Sequence, residues 1–259
     1  MSAVEICSFL EFVEFLEKNC KKDIILFRGQ RQDKPLLPKL SRLKLKKGIY
    51  ISEKKMFAAF KRGSLPSLDL KPENDWDWLA LMQHYGLPTR LLDWTLNPLA
   101  ALWFAVNKPS EKNQNGVVWM FTPQGRDHVS TRKTGNPFKE SRTKVFQPNH
   151  VTDRITSQAG WFTVHKHQKT TKKFVALDKN ADYKHSLKKL SIASDSFSDM
   201  RFHLDRCGIN ATTLFPGLDG LSKHIEWLNS FLSDEEPPKE KPKTTKKSKA
   251  TKRANQKIK

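Results

Sequence analysis

A single arginine, Arg28, stands where a short apolar run ends. Residues 24–27 (Ile-Ile-Leu-Phe) predict a buried strand, and Arg28-Gly29-Gln30 follows it directly. An arginine and a glycine at this place lie where a strand end opens onto a cleft. We therefore take Phe27-Arg28-Gly29-Gln30 as the first of several short segments, called islands below, whose side chains could bind a ligand or react.

The second island is longer and covers residues 82–105. It begins at the end of a predicted helix, passes through a strand or tight turn at residues 91–94, and ends in an apolar helix that Asn97 caps, with Pro98 at its first position. Its side chains that can bind or react are His84, Tyr85, Thr89, Arg90, Asp93, Trp94 and Thr95.

Two further islands lie later in the chain. Residues 154–162 contain Gln158 and no acidic side chain, and residues 214–221 place Asp219 between two glycine-containing turns. His165 and His167 form a fragment of a metal site, but no accompanying acid or cysteine motif supports it, so we expect no metal.

The islands together, from Phe27 to Ile225, resemble the FRG-domain family, which is named for its Phe/Tyr-Arg-Gly motif. The second island carries the resemblance, because so many polar residues at fixed spacing rarely coincide by chance. FRG domains often look like parts of bacterial antiviral or toxin systems. The resemblance therefore implies a toxin or defence effector, and a toxin would have a neutralising antitoxin partner.

The order of the islands is also similar, more distantly, to ADP-ribosyltransferases of the Arg-Ser-Glu type. Those enzymes have an arginine at the end of the first strand, then a Ser/Thr-containing strand that leads into an apolar helix. Arg28 matches the first element, and residues 89–95 with the helix at 99–106 match the second. This resemblance implies NAD as a substrate that donates ADP-ribose.

The resemblance assigns roles to the island residues. An arginine fork can hold the phosphates of NAD, aromatic rings can stack on nicotinamide or adenine, and a carboxylate can stabilise a positively charged ribose. The implied cofactor-binding residues are Arg28, Gly29, Tyr85, Thr89, Arg90 and Trp94. The implied catalytic residues are Arg28, His84, Asp93, Thr95 and Gln158.

One departure from the transferase pattern leaves alternatives open. Such enzymes carry a late glutamate, which residues 154–162 lack. Asp93 or Asp219 can substitute for it, or Gln158 can hold the position with a different role. Structural roles also remain open: a salt bridge between Arg28 and Asp93, a core position for Trp94, and structural bonds for His84, Gln158 and Asp219.

The surrounding elements predict an α+β fold: one mixed domain with a central, split or mixed β-sheet flanked by helices, followed by a disordered basic tail. We expect an N-terminal helical segment at 1–22, the domain at 23–232 and the tail at 233–259. Predicted helices lie at residues 4–19, 52–60, 75–85 with Asp75 as N-cap, 97–106, 197–207 and 216–232, the last closing the domain with Leu221, Ile225, Leu228 and Phe231 on one side. Predicted strands lie at 24–27, 91–94, 116–121, 160–164 and 173–177, with 186–192 left undecided and 122–148 expected to be a mobile basic insertion.

Net charge is the main indication of a partner. The 259-residue chain carries +20, and nine of the excess charges lie in residues 241–259, which leaves +11 on the rest. Such a body attracts polyanions, and we expect nucleic acid, RNA foremost. The candidate contacts are Arg126, Arg132, Lys133, Arg142 and Lys144 within the domain, and Lys246 and Lys247 in a tail with an auxiliary role.

Other classes of protein are disfavoured. The mean hydropathy is −0.65, and the apolar run around residues 99–106 is far shorter than a bilayer span. The three cysteines have no CxxC spacing, and the N-terminus lacks a signal-like pattern, so we expect a cytoplasmic protein that does not act on membranes.

Three functions follow. The first is transfer of ADP-ribose from NAD to nucleic acid. The second is nucleic-acid binding without catalysis, with the islands as scaffold. The third is a nuclease, which ranks last because the sequence offers no paired acids at metal-binding spacing.

Overall fold

A seven-stranded mixed sheet forms the centre of the molecule. The computed structural model describes residues 3–21, 24–68, 70–129, 135–149, 160–168 and 173–235. The strands of the central sheet are β1 (Val4–Ile6), β2 (Leu26–Gln30), β3 (Leu91–Thr95), β4 (Gly116–Phe121), β5 (Lys144–Phe146), β6 (Gly160–Val164) and β9 (Leu187–Ile192). Two further short strands, β7 (His167–Gln168) and β8 (Lys173–Phe174), pair antiparallel in a separate two-stranded sheet.

The order across the sheet is β1-β9-β4-β2-β3-β6-β5, with β1 and β9 parallel and the other neighbours antiparallel. The described helices are α1 (Phe9–Asn19), α2 (Ile49–Ser64), α3 (Asp75–His84), α4 (Pro98–Val106), α5 (Phe197–Arg206), α6 (Ala211–Leu214) and α7 (Leu218–Leu228). This architecture confirms the α+β fold with a central mixed sheet that the sequence predicts. None of the described helices has the length and apolar character that a bilayer span requires.

The junction between β2 and β3 is the weakest in the sheet. These strands share one register pair, Phe27 with Thr95, whereas β2 pairs with β4 at five positions and β3 with β6 at five. Beyond that pair the two strands diverge. Past this pair, the backbone N–H and C=O groups of β2 and β3 do not bond to each other and can bond to other groups.

Helices cover both halves of the sheet and form its cores. Phe12 of α1, Leu102 of α4 and Phe197 of α5 belong to one buried cluster with β2, β4 and β9. Trp76 of α3 and Phe57 of α2 belong to another, which packs against β3, β5 and β6. Burial of these large side chains supplies most of the driving force that fixes the helices on the sheet.

Local signals at helix ends explain where α3 and α4 begin and end. Asn97 caps α4 by accepting from two backbone N–H groups, and Pro98 is the first helical residue, as predicted. The cap of α3 is Asn74, not the predicted Asp75, because the Asn74 side chain accepts from the next turn. Gly86, with a φ of 84°, ends α3 in a conformation that suits glycine.

The structure corrects several predicted elements. Residues 4–19 are a strand followed by a helix, because Val4–Ile6 pairs with β9 and Ser8 caps α1. The predicted helix at 52–60 is longer, and the strand predicted at 173–177 ends at Phe174. Residues 187–192 form a strand between β1 and β4, and the predicted insertion at 122–148 contains β5.

The C-terminal boundary also differs from the prediction. The tail was expected from residue 233, but Asp234 and Glu235 pair with the buried Arg201, so they belong to the folded body. Helix α7 ends at Leu228, and the apolar side chains expected to close the domain are exposed. Residues 236–259 lie outside the described residues.

Candidate anion-binding cleft

A cleft opens where β2 and β3 diverge, and its volume is about 420 Å³. Its floor comes from the two strands, and its rim comes from the end of α3, the short 3₁₀ turn Lys39–Arg42 and Phe104 of α4. The charged or amide side chains among the described lining residues are Arg28, Lys39, Arg42, Gln83 and Asp93. Three cations and one carboxylate make this a net positive cleft of ordinary ligand-binding size.

Arg28 occupies the gap between the diverging strands. Its Nη1 donates to the backbone carbonyl of Asp93 at 2.7 Å and lies 3.7 Å from the Asp93 Oδ2. Its Nε is buried and has no hydrogen-bond partner among the described residues. Burial lowers the pKa of the Arg28 guanidinium, while Asp93 opposes that shift. A guanidinium nevertheless stays protonated in proteins, so Arg28 is a cation with an unused donor.

A chain of hydrogen bonds holds the Asp93 carboxylate from the other side. The Leu91 N–H donates to Thr89 Oγ1 at 3.0 Å, and the Thr89 hydroxyl donates to Gln83 Oε1. The Gln83 Nε2 then donates to Asp93 Oδ1 at 2.8 Å. Because the Thr89 hydroxyl occupies the amide oxygen, the amide nitrogen of Gln83 must face Asp93.

Lys39 and Arg42 add charge to the rim. They lie on the one-turn helix that follows β2, and Lys39 Nζ donates to the Gly86 carbonyl at 3.3 Å. Arg42 is exposed, and its charge contributes to lowering the pKa of Arg28. The two side chains therefore strengthen the positive potential around Arg28.

Gly29 has a packing role that the sequence did not indicate. A Cβ at this position would lie 1.8 Å from the Ala101 carbonyl oxygen and 2.9 Å from the Ala105 nitrogen. Helix α4 therefore packs directly on the β2 backbone, as only glycine permits. This close approach places Phe104 at the cleft.

Trp94 and Thr95 line the cleft, but their side chains are buried. The Trp94 ring is 3% exposed, packs against Phe121, and donates from Nε1 to Thr163 Oγ1 at 3.1 Å. The Thr95 hydroxyl accepts from the Asn97 N–H at the start of α4. In this conformation neither ring nor hydroxyl is presented as a ligand contact, which agrees with the core role left open for Trp94.

Four of the predicted site residues lie outside the cleft lining. Tyr85 is 60% exposed and His84 contacts it edge-on at the end of α3. Thr89 is buried behind Gln83. Arg90 is buried against Glu53, and Gln158 lies outside the described residues.

Arg90 forms a buried salt bridge with Glu53. Its Nε lies 3.0 Å from both carboxylate oxygens of Glu53, its Nη2 lies 2.6 Å from Oε2, and its Nη1 donates to the Pro137 carbonyl. Both side chains are at most 1% exposed. Each of its three guanidinium nitrogens has a buried partner, and Arg90 does not line the cleft, so it supports the fold and not a ligand in this conformation.

His165 is buried, and it lies close enough to Arg28 and Arg90 for their charges to act on it. Its Nδ1 lies 3.4 Å from the Val175 carbonyl and its Nε2 lies 3.3 Å from Thr163 Oγ1. Burial lowers the pKa of His165 to about 4, with the charges of Arg28 and Arg90 contributing. His165 is therefore neutral at neutral pH. Within the described residues, no group of three His, Cys, Asp or Glu side chains is placed to hold a metal ion.

The residues proposed to contact nucleic acid are only partly described. Arg126 is exposed, and its carbonyl accepts from Lys144 Nζ at 2.9 Å. Arg142 is paired with Asp127 at 2.7 Å and also donates to the Tyr183 hydroxyl. Arg132, Lys133, Lys246 and Lys247 lie outside the described residues.

Three cleft residues were not predicted: Gln83, Lys39 and Arg42. Gln83 lies in the second island, next to His84. Its amide group, which can both donate and accept hydrogen bonds, was the signal that could have identified it. Lys39 and Arg42 had no signal beyond their basic and proline-rich surroundings, because a one-turn helix folds back over the cleft only in three dimensions.

Comparison with known proteins gives one match. The family model of the FRG domain matches residues 23–114, which include β2, the 3₁₀ turn, α2, α3, β3 and α4. All described residues that line the cleft fall within this segment. The match is shorter than the expected correspondence from Phe27 to Ile225. Searches of curated proteins and of solved structures returned no match to the chain.

Proposed function

We propose that the cleft binds the phosphate groups of a nucleotide, and that the protein uses NAD to transfer ADP-ribose to nucleic acid, RNA foremost. One observation carries the proposal: Arg28, a cation that is 19% exposed and has a buried, unpartnered Nε, lies beside the exposed carboxylate of Asp93 in a cleft that Lys39 and Arg42 make positive.

Phosphate binding is the best-supported part of the proposal. A buried N–H without a partner costs free energy, and a charged acceptor that reached it through a small movement of the Arg28 side chain would recover that cost. Lys39 and Arg42 flank the same space and would neutralise a second phosphate of a dinucleotide. These residues therefore fit the pyrophosphate of NAD.

Group transfer rests on Asp93. When NAD is bound, the bond from its ribose carbon to nicotinamide breaks, nicotinamide leaves with the bonding electrons, and an acceptor oxygen or nitrogen bonds to that carbon and loses its proton. A carboxylate near the ribose stabilises the positive charge that develops. Asp93 is the carboxylate among the described lining residues, and Gln83 and Arg28 fix its position. We therefore assign to Asp93 the role of the missing late glutamate.

The acceptor is inferred from charge. The chain carries +20, and Arg126 is exposed outside the cleft. A polyanion would be attracted to such a surface at a high rate. The FRG match further motivates the proposal of a toxin or defence effector with an antitoxin partner.

The test is incubation of the purified protein with labelled NAD and, separately, RNA, DNA and protein acceptors. Arg28→Ala and Asp93→Asn are compared with Arg62→Ala, which removes an exposed arginine outside the cleft lining. We expect label on RNA with the unaltered protein and with Arg62→Ala, and at least a hundredfold less with either cleft variant. Circular dichroism checks that each variant is folded.

Binding is measured in parallel by calorimetry with ADP-ribose. Affinity that depends on Arg28, without any label transfer or NAD cleavage, would leave a nucleotide-binding cleft and remove the transferase. Absence of ADP-ribose binding together with salt-dependent RNA binding, unchanged in Arg28→Ala, would replace the proposal with a non-enzymatic nucleic-acid-binding module.

A further inference from the structure

The segment between β2 and the middle of α2 is strongly basic. Residues 34–55 contain eight lysines and arginines and one acidic residue, Glu53. Glu53 is buried and paired with Arg90, so it supplies no counter-charge at the surface. A surface with this imbalance attracts polyanions.

The cations at the centre of this segment are exposed and available. They are Arg42, Lys44, Lys46 and Lys47. None of the four has an ion-pair partner within the described ranges of the chain. The basic side chains between residues 126 and 144 are more engaged, since Arg142 pairs with Asp127 and Lys144 donates to a backbone carbonyl. The segment at 42–47 is therefore the better provided with free charge for phosphate groups.

This row of cations begins at the cleft. Lys39 and Arg42 line the cleft, and Lys39 Nζ donates to the Gly86 carbonyl at 3.3 Å, which ties the 3₁₀ turn to the end of α3. The three lysines lie on the connection from this turn to Ile49, where α2 begins. We call Lys39, Arg42, Lys44, Lys46 and Lys47 the basic track. It extends the positive potential of the cleft along the adjoining surface.

An exposed aromatic ring lies beside the start of the track. Tyr85 directly precedes Gly86, which lines the cleft, and its side chain is 60% exposed. Phe60 of α2 and His84 contact the Tyr85 ring, with centroids 6.3 Å and 5.1 Å away, so the ring is supported and still largely open to solvent. Single-stranded nucleic acids bind through phosphates along a basic path and through bases stacked on aromatic rings. The track and Tyr85 offer both kinds of contact.

The shape of the surface favours a flexible strand over a membrane or a duplex. Leu43 and Ile51 are exposed among the cations, and anionic lipids also bind such a mixture. The track, however, leads into a cleft, and a flat bilayer cannot follow the cations into it. The cleft volume of about 420 Å³ admits a nucleotide but not a duplex, and chemistry on a base requires that the base leave its stack.

We propose that the basic track and Tyr85 dock single-stranded RNA and lead it to the cleft. The choice of RNA rests on the proposed function, in which RNA is the acceptor, whereas the docking surface depends only on the charge and exposure of these residues. The lysines of the track bind phosphates, and the Tyr85 ring stacks on a base. The strand then reaches the cleft at Lys39 and Arg42.

The test measures RNA binding by fluorescence polarisation. The probe is a fluorescein-labelled RNA of about 12 nucleotides in which adenine and cytosine alternate. The variant Lys44→Ala/Lys46→Ala/Lys47→Ala is compared with Lys21→Ala/Lys108→Ala/Lys184→Ala, which removes three exposed lysines elsewhere and leaves the same net charge. We expect the track variant to bind at least tenfold more weakly and the control variant to stay within twofold.

Salt dependence separates phosphate contacts from a general change in the protein. Each phosphate contact with a single strand contributes about 0.7 to the slope of log affinity against log salt concentration. Loss of three contacts should therefore lower that slope by about 2 in the track variant. The slope should be unchanged in the control variant.

Two substitutions at Tyr85 test the stacked base. Tyr85→Ala should weaken RNA binding at least fivefold, because it removes the ring on which a base would stack. Tyr85→Phe keeps the ring and should bind within twofold of the unaltered protein. The substituted tyrosine and track lysines are exposed, so the variants should fold, as circular dichroism can verify.

Calorimetry with ADP-ribose distinguishes failure of this proposal from failure of the proposed function. The track variant keeps Arg28, Lys39 and Arg42, so it should bind ADP-ribose within twofold of the unaltered protein. Track-dependent RNA binding without any label transfer would support the docking surface and remove the transferase. Label transfer to RNA that the track variant retains in full would overturn the docking surface and keep the transferase.

Other results would also overturn the proposal. One is RNA affinity and a salt slope that the track variant retains. A second is equal or tighter binding of the same sequence as a duplex or as single-stranded DNA. A third is displacement of the RNA by polyglutamate at equal charge concentration, since the occupant would then be an acidic protein. A fourth is pelleting with phosphatidylserine vesicles that depends on the track in a protein that does not bind the RNA.

Discussion

Arg28 and Arg90 stand at comparable places in the sequence and have opposite environments. Each adjoins or lies within a strand of the same sheet, and both were predicted to bind NAD. Arg90 has both oxygens of the buried Glu53 within 3.0 Å and a carbonyl for a remaining donor. Arg28 has a carbonyl, a carboxylate at 3.7 Å that is 60% exposed, and a buried Nε without a partner among the described residues.

The partners of an arginine, and not its position beside a strand, decide whether it holds the fold together or can bind a ligand. A guanidinium whose three nitrogens all have buried partners, as in Arg90, holds the fold together, and a carboxylate ligand could take the place of Glu53 only by displacing it. A guanidinium with a spare donor at a cleft has capacity for an anion. On this argument Arg90 is a structural arginine and Arg28 is the candidate for binding an anion.

The largest effect is expected from Glu53→Gln. It leaves the Arg90 charge buried without a counter-charge, and breaking such a pair typically costs about 3–5 kcal/mol of the free energy of unfolding. Asp93→Asn, which removes the corresponding carboxylate beside Arg28, should cost about 1 kcal/mol or less because that carboxylate is exposed. Urea denaturation of both variants measures the difference.

The unfolding slope m should stay constant in these experiments, so that midpoints report stability. Equal losses in the two variants would contradict the comparison, because Arg28 would then be as structural as Arg90. A replacement of both Glu53 and Arg90 by apolar residues of similar size should recover part of the lost stability.

The second effect is a loss of stability in mild acid that depends on His165. Its pKa in the folded protein is about 4, against an ordinary value near 6.5. Between these values the unfolded chain binds a proton that the folded protein does not, so stability falls as the pH drops from about 6.5 to 4 and is retained above it. The contribution is on the order of 3 kcal/mol.

Denaturation at a series of pH values, with His165→Gln as the control, isolates this contribution. The variant should lose less stability than the unaltered protein over the same interval. If stability fell with pH in His165→Gln as steeply as in the unaltered protein, the acid sensitivity would belong to carboxylates elsewhere and not to His165.

Much of the fold could be predicted from the sequence, because strong local patterns coincide with the elements. The apolar run of β4 and the Asn97-Pro98 start of α4 are examples in which propensity, capping and burial agree. Strand β1 escaped prediction because three residues gain their structure only by pairing with β9, far along the chain. Exposure of the apolar side of α7 could not be read from periodicity, which is the same for a buried and an unpartnered face.

The sequence indicated some residues of the candidate site, but it did not indicate which groups these residues contact in the fold. Arg28 and Asp93 were recognised from the islands, and the structure brings them together. The pairing of Arg90 with Glu53 could not be predicted, because Glu53 lies 37 residues earlier, on a helix outside the islands. Gly29 was assigned to the cofactor, whereas its contact with Ala101 is a requirement of packing that only the assembled layers impose.

The third effect concerns ligand affinity at Arg28. Arg28→Lys keeps the charge but loses the planar fork, so we expect at least a tenfold loss in affinity for ADP-ribose, with a change in stability of about 1 kcal/mol or less. Arg62→Lys is the matched control on an exposed site. Calorimetric titration measures the affinity. Full affinity in Arg28→Lys would show that charge alone suffices and would weaken the case for a fork that binds phosphate.

The smallest effect is expected from the residue that orients the cleft amide. Thr89→Val removes the hydroxyl that joins Leu91 to Gln83, at a cost of about 1 kcal/mol in urea denaturation, whereas Thr89→Ser should keep both hydrogen bonds. Without the hydroxyl, Gln83 Oε1 loses its donor and the Gln83 side chain is held less firmly, so the Asp93 carboxylate to which it donates is also less well fixed. We therefore expect Thr89→Val to weaken ADP-ribose binding about threefold and Thr89→Ser to leave it unchanged. Equal behaviour of Val and Ser in both assays would mean that Thr89 only fills space, and that Arg28 alone distinguishes the cleft from the buried environment of Arg90.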